Sequence, residues 1–490
     1  MRSSTSNTDN LIKGLSVQSV VTIVLAVLEL IVFALLSRLL TKAEFGYCAV
    51  ITGVRVICMS LSEAGLGSAI VQKKNADSKY ISTAFTLSVI VGFTVAFLLF
   101  VLAPFLANLI ADSTITNPLR LASLTVFLYS LNSVGNNLLY KKLNFKRVGI
   151  NQTLSYFFAS VIGVFLAAKG FGIYAAVLIN VLNALFNFIM LYAFCVKIPK
   201  LGIDRTASKS IINFGGWLTA SVIVNNITHQ LDKLLLPKWL SVEDLGSYNR
   251  PAGFVSTATT KFGNVFDTVL FPMLSDLQDN PDKVKGVLRR SINLLSLCSA
   301  ILATIFFFNA ELIIDIFFGS QWTDLVPILQ IVSLSIVFNF ISRLVDCFFR
   351  SLALVKLNCF IRIGAAILTF FCIYIGSRFN ITAVAVSVFL ANLIIANTKL
   401  AILCHKVGTG WTEVIIPWLK SLIPSIPLII LGGVYLIAFN HSFVSNIIFA
   451  VIMAIVIFVE AVVTPSFLGE EYMRTLYPTI SKIIKKITHK

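Results

Sequence analysis

The sequence predicts an all-α polytopic membrane protein with about fourteen transmembrane helices, and three observations predict it. Hydrophobic residues make up 57% of the 490 and charged residues only 12%, against roughly 25% charged in soluble domains. The apolar residues come in long continuous runs, each near the roughly 20 residues that one helical crossing of a bilayer takes. Basic residues alternate from loop to loop in step with those runs, as the positive-inside rule requires. The composition excludes a soluble multidomain enzyme and a disordered chain. The continuous runs exclude a β-barrel, whose strands would read as alternating segments of about ten residues.

In chain order the predicted spans are 16–39, 46–70, 81–104, 118–139, 149–168, 172–195 and 210–231, then 246–273, 291–317, 325–349, 357–377, 381–404, 418–438 and 443–464. The first run is too long for the h-region of a cleavable signal, which takes about 7–15 residues, and reads as a span. The connections are short, the longest expected at 276–290, and none is long enough for a soluble domain.

Of 39 Lys and Arg residues, 28 fall at the N-terminus, in the connections after even-numbered spans, and at the C-terminus. That set includes Lys141, Arg350, Lys356, Arg362 and Lys399. Six fall in the other connections, among them Lys233 and Lys238, and five lie in spans or at their mouths: Arg55, Arg120, Arg250, Lys261 and Arg343. The 28-to-6 split places both termini in the cytoplasm. It also makes the net charge of +17 a record of topology, with no nucleic-acid partner implied. The eight cysteines show no CxxC spacing and no His–Cys cluster, so neither a metal site nor a disulfide framework is expected.

Two joints repeat. Leu40-Thr41-Lys42-Ala43-Glu44-Phe45-Gly46 matches Leu240-Ser241-Val242-Glu243-Asp244-Leu245-Gly246 at one constant offset. Each reads as a helix stop followed by a capping box, with Ser/Thr at the N-cap and an acid three residues on. Phe171-Gly172-Ile173-Tyr174-Ala175 and Phe379-Asn380-Ile381-Thr382-Ala383 open spans six and twelve. Both correspondences link spans six apart, which implies a parallel repeat. The expected organisation is two pseudo-symmetric six-helix bundles, 1–197 and 198–408, followed by 409–490 with spans thirteen and fourteen and a basic tail.

Charges inside spans are costly and commonly face a bundle interior or a hydrated cavity. Arg55 lies mid-span two, and Lys261 is its counterpart in span eight. With Arg250 and Arg343 they are the candidates for binding an anionic headgroup, since Arg offers a planar fork to phosphate and Lys a point charge. For Arg343, with Asp346 and Arg350 at helical spacing, internal ion pairing is the competing reading; for Arg120 it is snorkelling. Glu29, deep in span one, and Asp232, three residues after His229, are candidates for coupling to a cation, H+ or Na+. Asn180, Asn183 and Asn187 form a stripe that fits a sugar-accepting cavity or a helix–helix glue equally. No P-loop, HExxH or GxSxG is present, so no catalytic residue, metal or cofactor is expected.

These features resemble a known family: exporters of polysaccharide repeat units in the multidrug/oligosaccharidyl-lipid/polysaccharide superfamily, of the colanic-acid/teichuronic-acid export type. The residues that carry the resemblance are Leu40 to Tyr47 and Leu61-Ser62-Glu63-Ala64-Gly65-Leu66-Gly67-Ser68-Ala69-Ile70-Val71-Gln72. Further ones are Leu143-Asn144-Phe145-Lys146-Arg147, Gly170 to Ile173, Asp232, Leu245 to Tyr248 and Phe271-Pro272-Met273-Leu274. The resemblance implies two six-helix lobes around a central cavity. It implies flipping of an undecaprenyl-diphosphate-linked oligosaccharide (O-antigen, capsule or exopolysaccharide) across a bacterial cytoplasmic membrane. Membrane lipid, a coupling cation and the polysaccharide polymerase with its chain-length machinery are the implied partners. The alternatives are a cation-coupled multidrug exporter of the same superfamily and a lipid II flippase. A membrane-embedded glycosyltransferase would need acidic donor-binding loops that these short basic connections lack.

Overall fold

The computed structural model describes residues 2–63, 66–73, 77–142, 144–277, 280–352, 354–438 and 442–462. The basic tail from 463 onward, Ala64-Gly65, Lys74 and Leu143 lie outside the described residues. The described residues contain no strand. The helices are α1 (Arg2–Leu39), α2 (Lys42–Glu63), α3 (Leu66–Gln72), α4 (Ser78–Ile110), α5 (Thr116–Lys141), α6 (Phe145–Ala168), α7 (Gly172–Met190) and α8 (Arg205–Trp239). They continue with α9 (Val242–Leu277), α10 (Pro281–Phe308), α11 (Ala310–Phe317), α12 (Val326–Ser351), α13 (Val355–Ser377), α14 (Ile381–Val407), α15 (Trp411–Lys420), α16 (Ile426–Ala438) and α17 (Phe443–Val462). Eleven segments among the described residues are long and apolar enough to cross a membrane. The chain is an all-α, multi-pass membrane protein.

The helix boundaries correct the predicted spans where polarity and helicity part company. Span two ends its long helix at Glu63 and resumes as α3 at Leu66. The 276–290 connection is mostly helix: α9 runs to Leu277 and α10 begins at Pro281. Asn280 caps α10, its side chain accepting from the Lys283 N–H at 3.3 Å, and proline occupies the first turn. Such an N-terminus favours helix whatever the polarity of the residues that follow. Asn309 interrupts span nine, and the approach to span thirteen is divided into α15, a 3-10 turn that contains Pro424, and α16.

Contacts divide the chain into two compact units, 1–249 and 250–490, with the boundary inside α9. In the first, α5 is enclosed by α2, α3, α4 and α7, α1 lies on α6, and α8 packs on α2 and α4. Enclosure suits α5, whose many serines and asparagines leave it outside the eleven apolar segments. Asparagines tie it in place: Asn132 donates to the Ala184 carbonyl at 2.8 Å and Asn136 to Asn187 Oδ1 at 3.5 Å. Asn180 donates to its own helix at the Ala176 carbonyl. Of the predicted stripe, Asn187 thus links α7 to α5, whereas Asn180 bonds within α7. In the second unit α12 is central, against α10 and α14, and α13 packs on α14. Leu428, Tyr435, Phe449 and Met453 form a separate apolar cluster between α16 and α17.

Both predicted capping boxes form. The Thr41 N–H and hydroxyl donate to Glu44 Oε2 at 2.8 and 3.0 Å, and the Glu44 N–H donates back to Thr41 Oγ1 at 3.3 Å. The Ser241 N–H and hydroxyl donate to Asp244 Oδ2 at 3.1 and 2.7 Å, and the Asp244 N–H donates to Ser241 Oγ at 3.0 Å. The two helix starts also meet. A Cβ on Gly46 would lie 1.9 Å from the Val242 carbonyl oxygen, and one on Gly246 would lie 2.0 Å from that of Lys42. Glycine is what lets these backbones touch. Asp204 caps α8 by accepting from the Ala207 N–H at 2.8 Å. The Thr206 hydroxyl, then that N–H, hold the Asp204 carboxyl below the usual carboxylate range.

Gly46→Ala and Gly246→Ala each force a methyl against backbone, and each is expected to cost about 1–3 kcal/mol, as overpacking does. Because both glycines serve one contact, the double variant should lose clearly less than the sum of the two. Thermal unfolding of the purified protein in detergent checks this; strict additivity would mean that the two glycines act independently.

Candidate functional site

Arg55 sits on α2 where that helix runs antiparallel to α8. The register follows from two contacts. A Cβ on Gly53 would meet Lys233 Cβ at 3.5 Å and Gln230 Cβ at 3.8 Å, and further along the Asn226 amide donates to the Ser60 hydroxyl. Asn226, Gln230 and Lys233 are spaced i, i+4 and i+7, so they share the face of α8 that lies on α2. This brings the Lys233 ammonium within electrostatic reach of the half-buried Arg55 guanidinium. Arg55 Nη1 also lies 3.4 Å from Met59 Sδ, and Tyr129 of α5 faces it. Beyond Tyr129 stands Glu63.

Asp232 belongs to the same neighbourhood. Its carboxylate accepts from the Lys233 N–H at 2.9 Å and interacts with the Lys233 ammonium, with the buried Tyr248 on its other side. The site thus carries two cations against one adjacent acid. Two like charges brought together between apolar helices repel, and an anion placed between them relieves that repulsion. Such an arrangement can hold a phosphoryl group. Glu29, half-buried on α1, faces Tyr156 of α6.

The other sequence candidates lie in the second unit. Lys261 is half-buried on α9. Arg250 is buried, with its guanidinium 6.0 Å from the centre of the Phe318 ring. Arg343 is ion-paired, but with a partner the sequence spacing did not indicate: Asp267 of α9 at 3.0 Å. Arg350 reaches the same carboxylate at 3.5 Å. Asp346, expected to pair along its own helix, is held by Arg362 of α13 and Lys399 of α14, each at 3.0 Å. Arg120 lies over the Phe100 ring at 5.2 Å.

Several basic residues that the sequence assigns to loops are therefore engaged inside the bundles. Arg350, Arg362 and Lys399 are ion-paired within the second unit, and the Lys141 ammonium holds the end of α3 by donating to the Ile70 carbonyl at 2.9 Å. Lys233, counted with a loop, lies on α8 beside Arg55. The signal that could have found it is the polar stripe Asn226–Gln230–Lys233 along one face of an apolar helix.

The model of a family described as polysaccharide biosynthesis proteins matches residues 35–327, more than half of the chain and the whole of the Arg55–Lys233 site. The chain belongs to this family. Among its relatives, the succinoglycan biosynthesis transport protein ExoT of Rhizobium meliloti (strain 1021) is 27% identical over 310 residues, covering 63% of this chain and 62% of the relative. The lipopolysaccharide biosynthesis protein WzxC of Escherichia coli (strain K12) is 23% identical over 327 residues, 65% of each chain. The chain thus spans a little under two thirds of the length of these relatives. In fold it is similar to the lipid II flippase MurJ in an inward closed conformation, with a TM-score of 0.71, 14% identity, and coverage of 90% of this chain and 98% of that one. At that identity the likeness speaks for the fold.

Asp346 is the point where α12, α13 and α14 are tied, and Lys399 is only 6% exposed. Removing one partner of a buried pair leaves a charge without compensation, at about 3–5 kcal/mol. Asp346→Ala is expected to destabilise the protein by about 3 kcal/mol, read as a lowered melting temperature and reduced yield in the membrane. A melting temperature equal to that of the parent protein would remove the cluster from the list of structural ties.

Proposed function

We propose that the chain is a flippase that carries an undecaprenyl-diphosphate-linked oligosaccharide repeat unit, of O-antigen, capsule or exopolysaccharide, from the inner to the outer leaflet of a bacterial cytoplasmic membrane. The observation that carries this reading is the Arg55–Lys233 cation pair between α2 and α8, inside the part of the chain that matches polysaccharide biosynthesis proteins. The diphosphate is the charged, sugar-independent part of such a substrate, so two cations suit it in the manner of any phosphate site. Lys261 and Arg250, in the second unit, are the further cations that this reading assigns to the headgroup, and the isoprenoid stays in the bilayer. In this reading fourteen helices cross the membrane with both termini in the cytoplasm, and the lobes 1–197 and 198–408 alternate access to the headgroup. Asp232, next to Lys233, and Glu29 are the groups placed to couple this movement to H+ or Na+. No bond is made or broken, so no catalytic residue or cofactor is assigned. The product is handed to a polymerase and its chain-length machinery.

A multidrug exporter takes cationic substrates, which two adjacent cations repel; the Arg55–Lys233 pair speaks against that alternative.

The test is surface polysaccharide in the native host. Arg55→Ala and Lys233→Ala should insert at parental levels but reduce glycan export about tenfold or more, the effect of losing a charged hydrogen bond worth roughly 1.5–3 kcal/mol. Lys261→Ala should act in the same direction. Parental amounts of surface polysaccharide in the Arg55 and Lys233 variants would overturn the assignment, and a changed drug-susceptibility panel beside them would favour the exporter.

A further inference from the structure

Two carboxylates of the second unit are each shared by two cations, and the two clusters differ in how closed they are. Around Asp346 the side chains of Lys399, Asp346 and Arg362 are 6%, 18% and 21% exposed. Around Asp267 the figures are 24% for the acid, 25% for Arg343 and 52% for Arg350. The acids and one arginine of each cluster are alike in burial, and the difference lies in the other cation: Lys399 is enclosed, whereas Arg350 is half exposed. A tie between two helices needs one cation per carboxylate; a second adds repulsion and leaves three groups with a net charge of +1. Arginine is also the residue whose planar fork matches phosphate with two parallel hydrogen bonds.

The local structure is built to present that fork. Gly263, Asn264 and Asp267 share one face of α9, and Arg343 and Arg350, seven residues apart, share one face of α12. A Cβ on Gly263 would lie 2.5 Å from Arg343 Nε, so the guanidinium rests against the α9 backbone only because residue 263 has no side chain. Arg343 Nη2 donates both to Asn264 Oδ1 and to Asp267 Oδ2, while its Nε, buried, has no hydrogen-bond partner. The arginines stand toward the C-terminal ends of α9 and α12, which the alternation of basic loops assigns to the cytoplasmic side.

We propose that Arg343 and Arg350 form a second binding site, for a phosphoryl anion, and that Asp267 occupies the arginines as an internal counter-ion until the ligand displaces it. Two sources supply that chemistry at a membrane face: the diphosphate of an isoprenyl-linked substrate and the headgroup phosphate of an anionic phospholipid. Only the first rests on the flippase reading. The site lies largely beyond the matched segment, since Arg343 and Arg350 follow residue 327.

The experiment measures inorganic pyrophosphate binding to the purified full chain in an Arg55→Ala/Lys233→Ala background, so that the site on α2 and α8 does not contribute. Asp267→Asn removes the competitor and is expected to tighten binding about tenfold, whereas Arg343→Ala weakens it about tenfold, as the loss of a charged hydrogen bond would. Gly263→Ala, which displaces the guanidinium without altering charge, should weaken it too, and Arg343→Lys, which keeps charge and loses the fork, should fall between. A monodisperse Asp267→Asn protein with unchanged or weaker binding, or binding indifferent to Arg343, would overturn the proposal. Competition by geranylgeranyl diphosphate assigns the site to a lipid-linked substrate. Retention of phosphatidylglycerol over phosphatidylcholine in nanodiscs, lost in Arg343→Ala, assigns it to the bilayer; either supports the site. Export in the host does not enter these measurements, so this proposal and the flippase reading fail separately.

Discussion

An ionised side chain within the hydrocarbon must find a counter-charge, a hydrogen-bonding partner or water, and most of the specific geometry in this protein follows from that requirement. Roughly 20 apolar residues are enough to make a crossing, but apolar helices in lipid have little to tell them where to sit beside one another. The polar residues supply that information. Asp346 draws α13 and α14 onto α12 through Arg362 and Lys399. Asn132 and Asn136 fasten α5 to α7. Asn226 and Ser60 fix the register of α8 on α2, and that register is what sets Lys233 beside Arg55. The same bond that orders the helices therefore positions the candidate site.

The requirement also separates structural charge from functional charge. Where an acid is enclosed with its two cations, as at Asp346, the charges serve the fold, and the surrounding helices are held by them. Where a similar excess of cations is less enclosed, the surplus has a cost that the fold alone does not repay. Arg55 with Lys233 against Asp232 is one such place, and Arg343 with Arg350 against Asp267 is another. Both lean toward anions. The proposed substrate would bring a diphosphate to the first, and the bilayer itself offers phosphate to the second.

What the sequence revealed and what it hid divide along the range of the interactions. The capping boxes at Thr41 and Ser241 were legible to the atom, because a capping box is a bond between residues three apart and needs nothing from the rest of the chain. The all-α, multi-pass character was legible because it rests on composition and run length. The connection at 276–290 was misread because charged residues in an amphipathic extension of α10 look like a loop when only polarity is weighed; Asn280 and Pro281 were the contrary signal. The ion pairs were hidden for a different reason. Arg343 and Asp346 stand three apart on one helix, so spacing alone offers them to each other. Each instead takes a partner from another helix, Asp267 lying 76 residues away from Arg343 and Lys399 lying 53 from Asp346. Counting Lys233, Arg362 and Lys399 with the loops had the same origin, since a tally by connection cannot tell a cation at a helix end from one a few residues inside.

The contact between the two capping boxes bears on the internal repeat. A match of five short positions at one offset can arise by chance in a sequence this rich in Leu and Ser. Chance gives no reason for the matched segments to meet in space, still less to meet reciprocally. Gly46 faces the carbonyl of Val242 and Gly246 faces the carbonyl of Lys42, so each member of the pair touches the equivalent of the residue that touches it. Self-complementary contact of this kind is what a two-fold axis produces between identical surfaces. The glycines are then required twice over, by the approach of the backbones and by the equivalence of the two approaches. A side chain at either position disturbs both halves of the contact, which supports reading the two joints as copies of one element.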